Sequence, residues 1–145
     1  MNLSTNYTLE EFVFSDYAAR HGIANDPPPA AIERMKIVAA CAETLRTYLG
    51  GLPLRVTSGF RCEALNIGIG GQPDSAHIYG CAADLVHASL SPYQVMRTIP
   101  NSGLLAGHLD QCILEFGRWV HIAIPRPARA QMLIIDSKGT RPWVG

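Results

Sequence analysis

The sequence predicts an α+β domain, with helices first and most of a mostly antiparallel sheet after them. Two observations carry this. Apolar residues recur at three- and four-residue steps from Ala30 to Leu49, the signature of a long amphipathic helix. Beyond Ile99 the pattern changes to short apolar runs, Gln111 to Phe116, Trp119 to Ile124 and Gln131 to Ile135, joined by tight connections, and these read as strands. A chain of 145 residues fits a single domain, 1–145, and can bury a real core.

The elements follow in order. Leu9 to Asp16 is short and amphipathic, with Thr8 as N-cap and Glu11 placed to close a capping box. His21-Gly22 stops a helix, and Asn25 to Pro29 is a proline-rich loop. Residues 1–29 therefore read as an N-terminal arm packed on the main body. In the long helix, Ile32, Met35, Val38, Ala39, Ala42, Leu45 and Leu49 define one apolar face, and Gly50-Gly51 ends it. Leu54 to Thr57 reads as a strand, Arg61 to Ile69 as a short helix and Gly70 to Pro73 as a loop. Ala82 to Val86 reads as a strand, and Ser91-Pro92 opens a helix that runs to about Ile99 with proline at its first position.

Composition excludes several functions. Twelve basic and twelve acidic residues give no net charge, so nothing marks a nucleic-acid or membrane-surface partner. The apolar stretches are too short to span a bilayer, and the first residues lack the basic-then-apolar pattern of a secretory signal. We therefore expect a monomer that is cytoplasmic as synthesised, with any later action on a cell wall needing export or release by another route. Four widely spaced cysteines without a CxxC pair read as reduced, buried thiols rather than a zinc ribbon.

The chemistry-bearing stretch is Thr57 to Asp84. His77 and Asp84 stand seven residues apart with Gly80 between them, and a second histidine, His121, lies downstream in WVHIAI. Asp84 is an acid inside a small apolar strand, where an unpaired carboxylate is costly. It needs a cation, a set of donors or a position facing water. Two histidines and one aspartate have the stoichiometry of a catalytic zinc site with water in the fourth position.

Ser58-Gly59-Phe60-Arg61, Asn66, Gly70-Gly71, Ser75-x-His77-x-x-Gly80-x-Ala82-x-Asp84 and Trp119-x-His121 together resemble the D-alanyl-D-alanine carboxypeptidase-like zinc peptidases of bacterial cell-wall metabolism and phage lysis, in their short single-domain form. The resemblance implies a hedgehog-like α+β fold, zinc held by His77, Asp84 and His121, and Arg61 and Ser75 holding a peptide substrate. It implies a hydrolase of peptidoglycan stem peptides, as a phage or prophage endolysin or a wall-remodelling enzyme. The alternative is a catalytically silent, zinc-containing cell-wall-binding or phage structural module of the same fold. A general base is also required, and Glu115 is the candidate, with Asp110 next in line. Some relatives place the acid three residues before the last histidine, where this chain has Arg118, so the six-residue spacing of Glu115 resembles a variant of the site. Glu115 and His121 can meet only if the chain folds back near Gly117-Arg118. A two-residue turn of Gly117-Arg118 would set Leu114 opposite His121, whereas an odd-length loop centred on Arg118, or a bulge, would set Glu115 there. Tyr79 and Trp119 read as cleft walls, and His21, His87 and His108 lie outside the motif.

Overall fold

The computed structural model describes residues 1–126 and 129–145. Among the described residues, five α-helices, α1 Leu9–Val13, α2 Asp16–Arg20, α3 Pro29–Tyr48, α4 Glu63–Gly68 and α5 Pro92–Thr98, accompany six strands. The strands are β1 Leu54–Ser58, β2 Ala82–His87, β3 Gln111–Glu115, β4 Trp119–Ala123, β5 Gln131–Asp136 and β6 Gly139–Pro142. They form one mixed sheet in the order β1-β2-β4-β3-β5-β6. All pairings are antiparallel except β3 with β5, which is parallel. The parallel pair arises because the chain leaves β4, passes the start of β3 and adds β5 on the far side. There Gln131 N–H donates to Asp110 O at 2.9 Å.

Local chemistry explains the helix ends. The Thr8 side chain accepts the Glu11 N–H, as expected of the N-cap, but the Glu11 carboxylate accepts from the Thr8 hydroxyl instead of closing a capping box, and the apolar run beyond does not continue as one helix. Phe14 turns extended, and Ser15 caps a second helix by accepting the Ala18 N–H. Pro29 belongs to α3 rather than to the preceding loop, at the position where a missing N–H costs nothing. Ser91 and Gln94 close a full capping box on α5, which passes into a 3-10 turn over Ile99–Ser102.

Helix α3 buries Ala31, Met35, Val38, Ala39, Ala42 and Leu45 completely, while Ile32 and Leu49 only edge the core. It packs on the face of the sheet that carries Leu54, Val56, Ala83, Leu85, Val120, Ile122, Cys112 and Leu114, with Val95 and Met96 of α5 beside it. Truncating one of the larger of these side chains, such as Leu45→Ala, removes about 2–5 kcal/mol. Residues 1–29 are tied to this body by specific bonds. Tyr7 Oη donates to Leu54 O at 2.6 Å, Phe60 N–H donates to Phe12 O at 2.7 Å, and Phe12 is fully buried.

Alternation along the strands turns the remaining side chains to the opposite face. There the ladder aligns Asp84 with His121 and His121 with Ile113. A bulge in β1 between Val56 and Ser58 takes Thr57 out of register and sets Ser58, not Thr57, against Asp84. Strand β6, which the sequence reading left out, is exposed throughout and so carries no apolar alternation to announce it. All four cysteines are free. Among the described residues no helix is long and apolar enough to cross a membrane.

Candidate metal centre

His77 reaches the site from a tight turn. Ala76–Tyr79 form a single 3-10 turn, opened by the Ser75 side chain, which accepts the His77 N–H at 3.3 Å. Gly80 ends it in the left-handed region at φ 75°, and a Cβ there would lie 2.6 Å from Ala31 O, so glycine is required twice over. The chain then enters β2 directly, and Asp84 follows on the same face as His121 of β4. His77, Asp84 and His121 are all buried, and one ligand atom from each lies within 4.8 Å of the others. Asp84 Oδ1 is 3.3 Å from His77 Nε2 and 3.0 Å from His121 Nδ1.

The donor chemistry of this cluster fits a cation. His77 Nδ1 lies 2.6 Å from Gly59 O, and a carbonyl can only accept, so Nδ1 carries the proton. Burial pushes the His77 imidazole down more strongly than Asp84 pulls it up, which keeps the ring neutral. Its bare Nε2 then points a lone pair at a carboxylate oxygen, an arrangement that asks for a positive charge between them. Burial on its own raises the Asp84 carboxyl. The neighbouring imidazoles, where they carry a proton in place of a metal, outweigh it and hold the group ionised, well below the ordinary carboxylate range. Gly59 is the unforeseen member of this network. A Cβ at Gly59 would collide with the Phe12 backbone, and that close approach is what seats the Gly59 carbonyl over His77.

Arg61 closes the other side. Its Nη2 is 3.5 Å from Asp84 Oδ2, its Nε donates to Ser58 Oγ at 3.2 Å, and its own N–H donates to His77 O at 3.1 Å. Burial lowers its pKa, while Asp84 and Glu115 raise it. Asn66, also buried, supports this side by accepting from Arg61 Nη1 at 3.5 Å and donating to Gln72 O at 2.8 Å. The SGFR tetrapeptide thus supplies a carbonyl, a hydroxyl and a guanidinium to one small volume.

Glu115 comes from the β3–β4 hairpin. Phe116 and Gly117 both have positive φ, 54° and 64°, and Arg118 N–H donates back to Glu115 O at 3.0 Å, as in a type I′ turn with Arg118 as one extra residue. The loop is odd in length, as expected, but it is centred on Gly117 rather than Arg118. Glu115 therefore pairs with Trp119, and Ile113 stands opposite His121. The carboxylate still reaches the cluster diagonally, with Oε1 3.6 Å from His121 Nδ1. Burial raises its pKa, His121 opposes this, and Asp84 adds to it. The Trp119 indole lies close enough to favour the ionised form, yet its buried Nε1 completes no hydrogen bond.

Other candidates lie elsewhere. Asp110 is corrected as an alternative base, because its carboxylate is taken up by Arg129 through the backbone N–H, Nε and Nη2 at 2.7–3.0 Å. His87 points to the opposite face of β2, where its Nδ1 accepts the N–H groups of Ser89 and Leu90. Ser75 caps the His77 turn. Tyr79, 39 % exposed, lies under the Arg126 guanidinium and bonds Asp74.

Fold and site together define a metal-binding α+β domain with an acid and a guanidinium beside the ligand cluster. A family model described as Peptidase M15 matches residues 5–123. The chain belongs to that family, the zinc D-Ala-D-Ala carboxypeptidase-like peptidases, and His77, Asp84 and His121 form a cluster suited to its metal. No curated protein matches the chain.

Proposed function

We propose that this chain is a zinc metallopeptidase that hydrolyses peptide bonds in peptidoglycan stem peptides. The observation that carries the reading is the buried His77–Asp84–His121 cluster with Glu115 at its edge, 3.6 Å from His121. His77 Nε2, an Asp84 oxygen and His121 Nδ1 would hold the metal. Zinc in such a site polarises a scissile carbonyl and brings the pKa of water to about 7. Glu115 takes the proton of the attacking water and returns it to the departing amine. Its half-buried setting raises its pKa and so makes it a stronger base than an exposed carboxylate. Arg61, held in place by Ser58 and Asn66, presents its guanidinium to a substrate carboxylate or carbonyl as a charge-assisted donor. Gly59 fixes the His77 ring through Nδ1 and leaves Nε2 free for the metal.

The deciding experiment is hydrolysis of purified peptidoglycan and of synthetic stem peptides by zinc-loaded protein, with and without a chelator. Chelator-sensitive release of an amino acid or peptide supports the reading. Full zinc occupancy with no cleavage of any stem peptide overturns it in favour of a silent wall-binding module.

A further inference from the structure

We propose that the β5–β6 hairpin carries a specificity subsite, built on Leu133 and Ile135, for an aliphatic side chain on the N-terminal side of the scissile bond; this rests on the peptidase reading. The hairpin lies beyond residues 5–123, the stretch shared with the family.

The sheet register places it. Asp84, His121, Ile113 and Leu133 are successive partners across β2, β4, β3 and β5, and Trp119, Glu115 and Ile135 form the next row on the same face. Neighbouring strands are about 4.8 Å apart, so Leu133 stands roughly 10 Å from His121 along that row. An extended peptide advances about 3.3 Å per residue. With its scissile carbonyl at the ligand cluster, its preceding residue crosses Ile113 and the one before that crosses Leu133 and Ile135.

The composition of β5 calls for an explanation of this kind. A sheet face left to water alternates apolar with polar residues. In β5, Met132 and Ile134 pack against the core, yet the outward positions between and after them are also apolar, Leu133 and Ile135, and both are only half-buried. Helix α5 packs on β3 and β4 from the other face, and Val95, Met96, Cys112 and Leu114 all belong to the core there. Charge gives the direction. Arg61 lies at the β1–β2 side of the cluster, where it would receive a terminal carboxylate. At the β5 side Glu115 is the one charged group in these two rows, since Asp136 alternates away and pairs with Arg141 at 2.8 Å. A substrate held by its carboxylate at Arg61 thus runs its N-terminal part over an apolar floor.

The test compares N-acetyl-Leu-Ala-D-Ala-D-Ala with N-acetyl-Glu-Ala-D-Ala-D-Ala on the zinc-loaded protein, so that the varied residue is the one that crosses Leu133 and Ile135. The leucyl peptide should have a kcat/KM at least about tenfold higher, the scale a single apolar contact gives. Leu133→Ala with Ile135→Ala should shrink that ratio to about twofold, chiefly by lowering kcat/KM for the leucyl peptide. A second measurement needs neither turnover nor a variant. The cleavage product N-acetyl-Leu-Ala-D-Ala, added to methyl-labelled zinc-loaded parent protein, should shift the Leu133 and Ile135 methyl resonances. Cleavage of both peptides at equal rates, with those methyls unmoved, would overturn the subsite and leave the peptidase reading intact. Methyl shifts without cleavage of either peptide would uphold the subsite and overturn the peptidase reading.

Discussion

Glu115 Oε1 lies 3.6 Å from His121 Nδ1 although the two residues are not cross-strand partners. Ile113 holds the position opposite His121, and Glu115, two residues further along the same face, reaches over diagonally as long side chains can. The turn at Phe116-Gly117 sets this offset.

Replacing this acid should separate chemistry from structure. Glu115→Gln keeps the size and hydrogen-bonding capacity of the side chain but cannot accept the water's proton. Zinc content and thermal midpoint should stay at the parent's values, while kcat on stem peptides falls by about 10²–10⁴. A variant as fast as the parent would remove Glu115 from the role.

One zinc per chain should be found in protein purified without chelator. His77→Ala and His121→Ala should abolish it, since each removes one of three buried ligand groups. Cys62→Ser and Cys81→Ser should retain it, because Cys62 caps α4 and Cys81 stands outside the cluster. Metal analysis of the four variants reads the outcome directly, and zinc loss on changing a cysteine alone would refute the assignment.

Arg61→Ala should keep the metal and lose turnover. The guanidinium sits 3.5 Å from Asp84 Oδ2, so its removal takes a competing cation away from a ligand. A lost charge-assisted hydrogen bond to substrate is worth about 1.5–3 kcal/mol, or roughly 10–150-fold in kcat/KM. Unchanged kinetics with unchanged zinc would reduce Arg61 to a brace for Asp84 and Ser58.

Asp110 and Arg129 make an acid-sensitive clasp at the crossover between β4 and β5. Hydrogen bonds from Arg129 hold the Asp110 carboxyl below its ordinary range, against a smaller rise from burial. Because the folded pKa lies below the unfolded value near 3.9, the clasp stabilises the protein fully above about pH 5 and loses that contribution as pH falls through the folded pKa. Arg129 is half exposed, so the net worth is about 1 kcal/mol. Asp110→Asn should lower the midpoint of thermal unfolding by roughly 3 °C at pH 7, and the gap between variant and parent should be smaller at acid pH, where the carboxyl becomes protonated. An equal gap at both pH values would contradict this account.

Much of this protein was legible before its structure. The 3.6-residue periodicity of α3 needs only local sequence, and the strands that face a core on one side announce themselves by alternation. His77, Asp84 and His121 could be picked out together because a buried acid flanked by small apolar residues demands a partner of opposite charge, and the surrounding motif has a fixed spacing. Tertiary structure decided the rest. Whether Glu115 or Ile113 faces His121 is a two-residue difference in pairing that follows from centring the turn on Arg118 or on Gly117, and that choice comes from the positive φ of Phe116, a backbone state its side chain does not advertise. The approach of Arg61 to Asp84 depends on a bulge at Thr57, and the commitment of Asp110 to Arg129 on a crossover that makes β5 parallel to β3. Strand β6, exposed along its length, had no apolar pattern to show. Periodicity reports which face a residue turns to the core, whereas pairing register and the meeting of distant charges are set by turns and bulges whose geometry is fixed only when the whole sheet assembles.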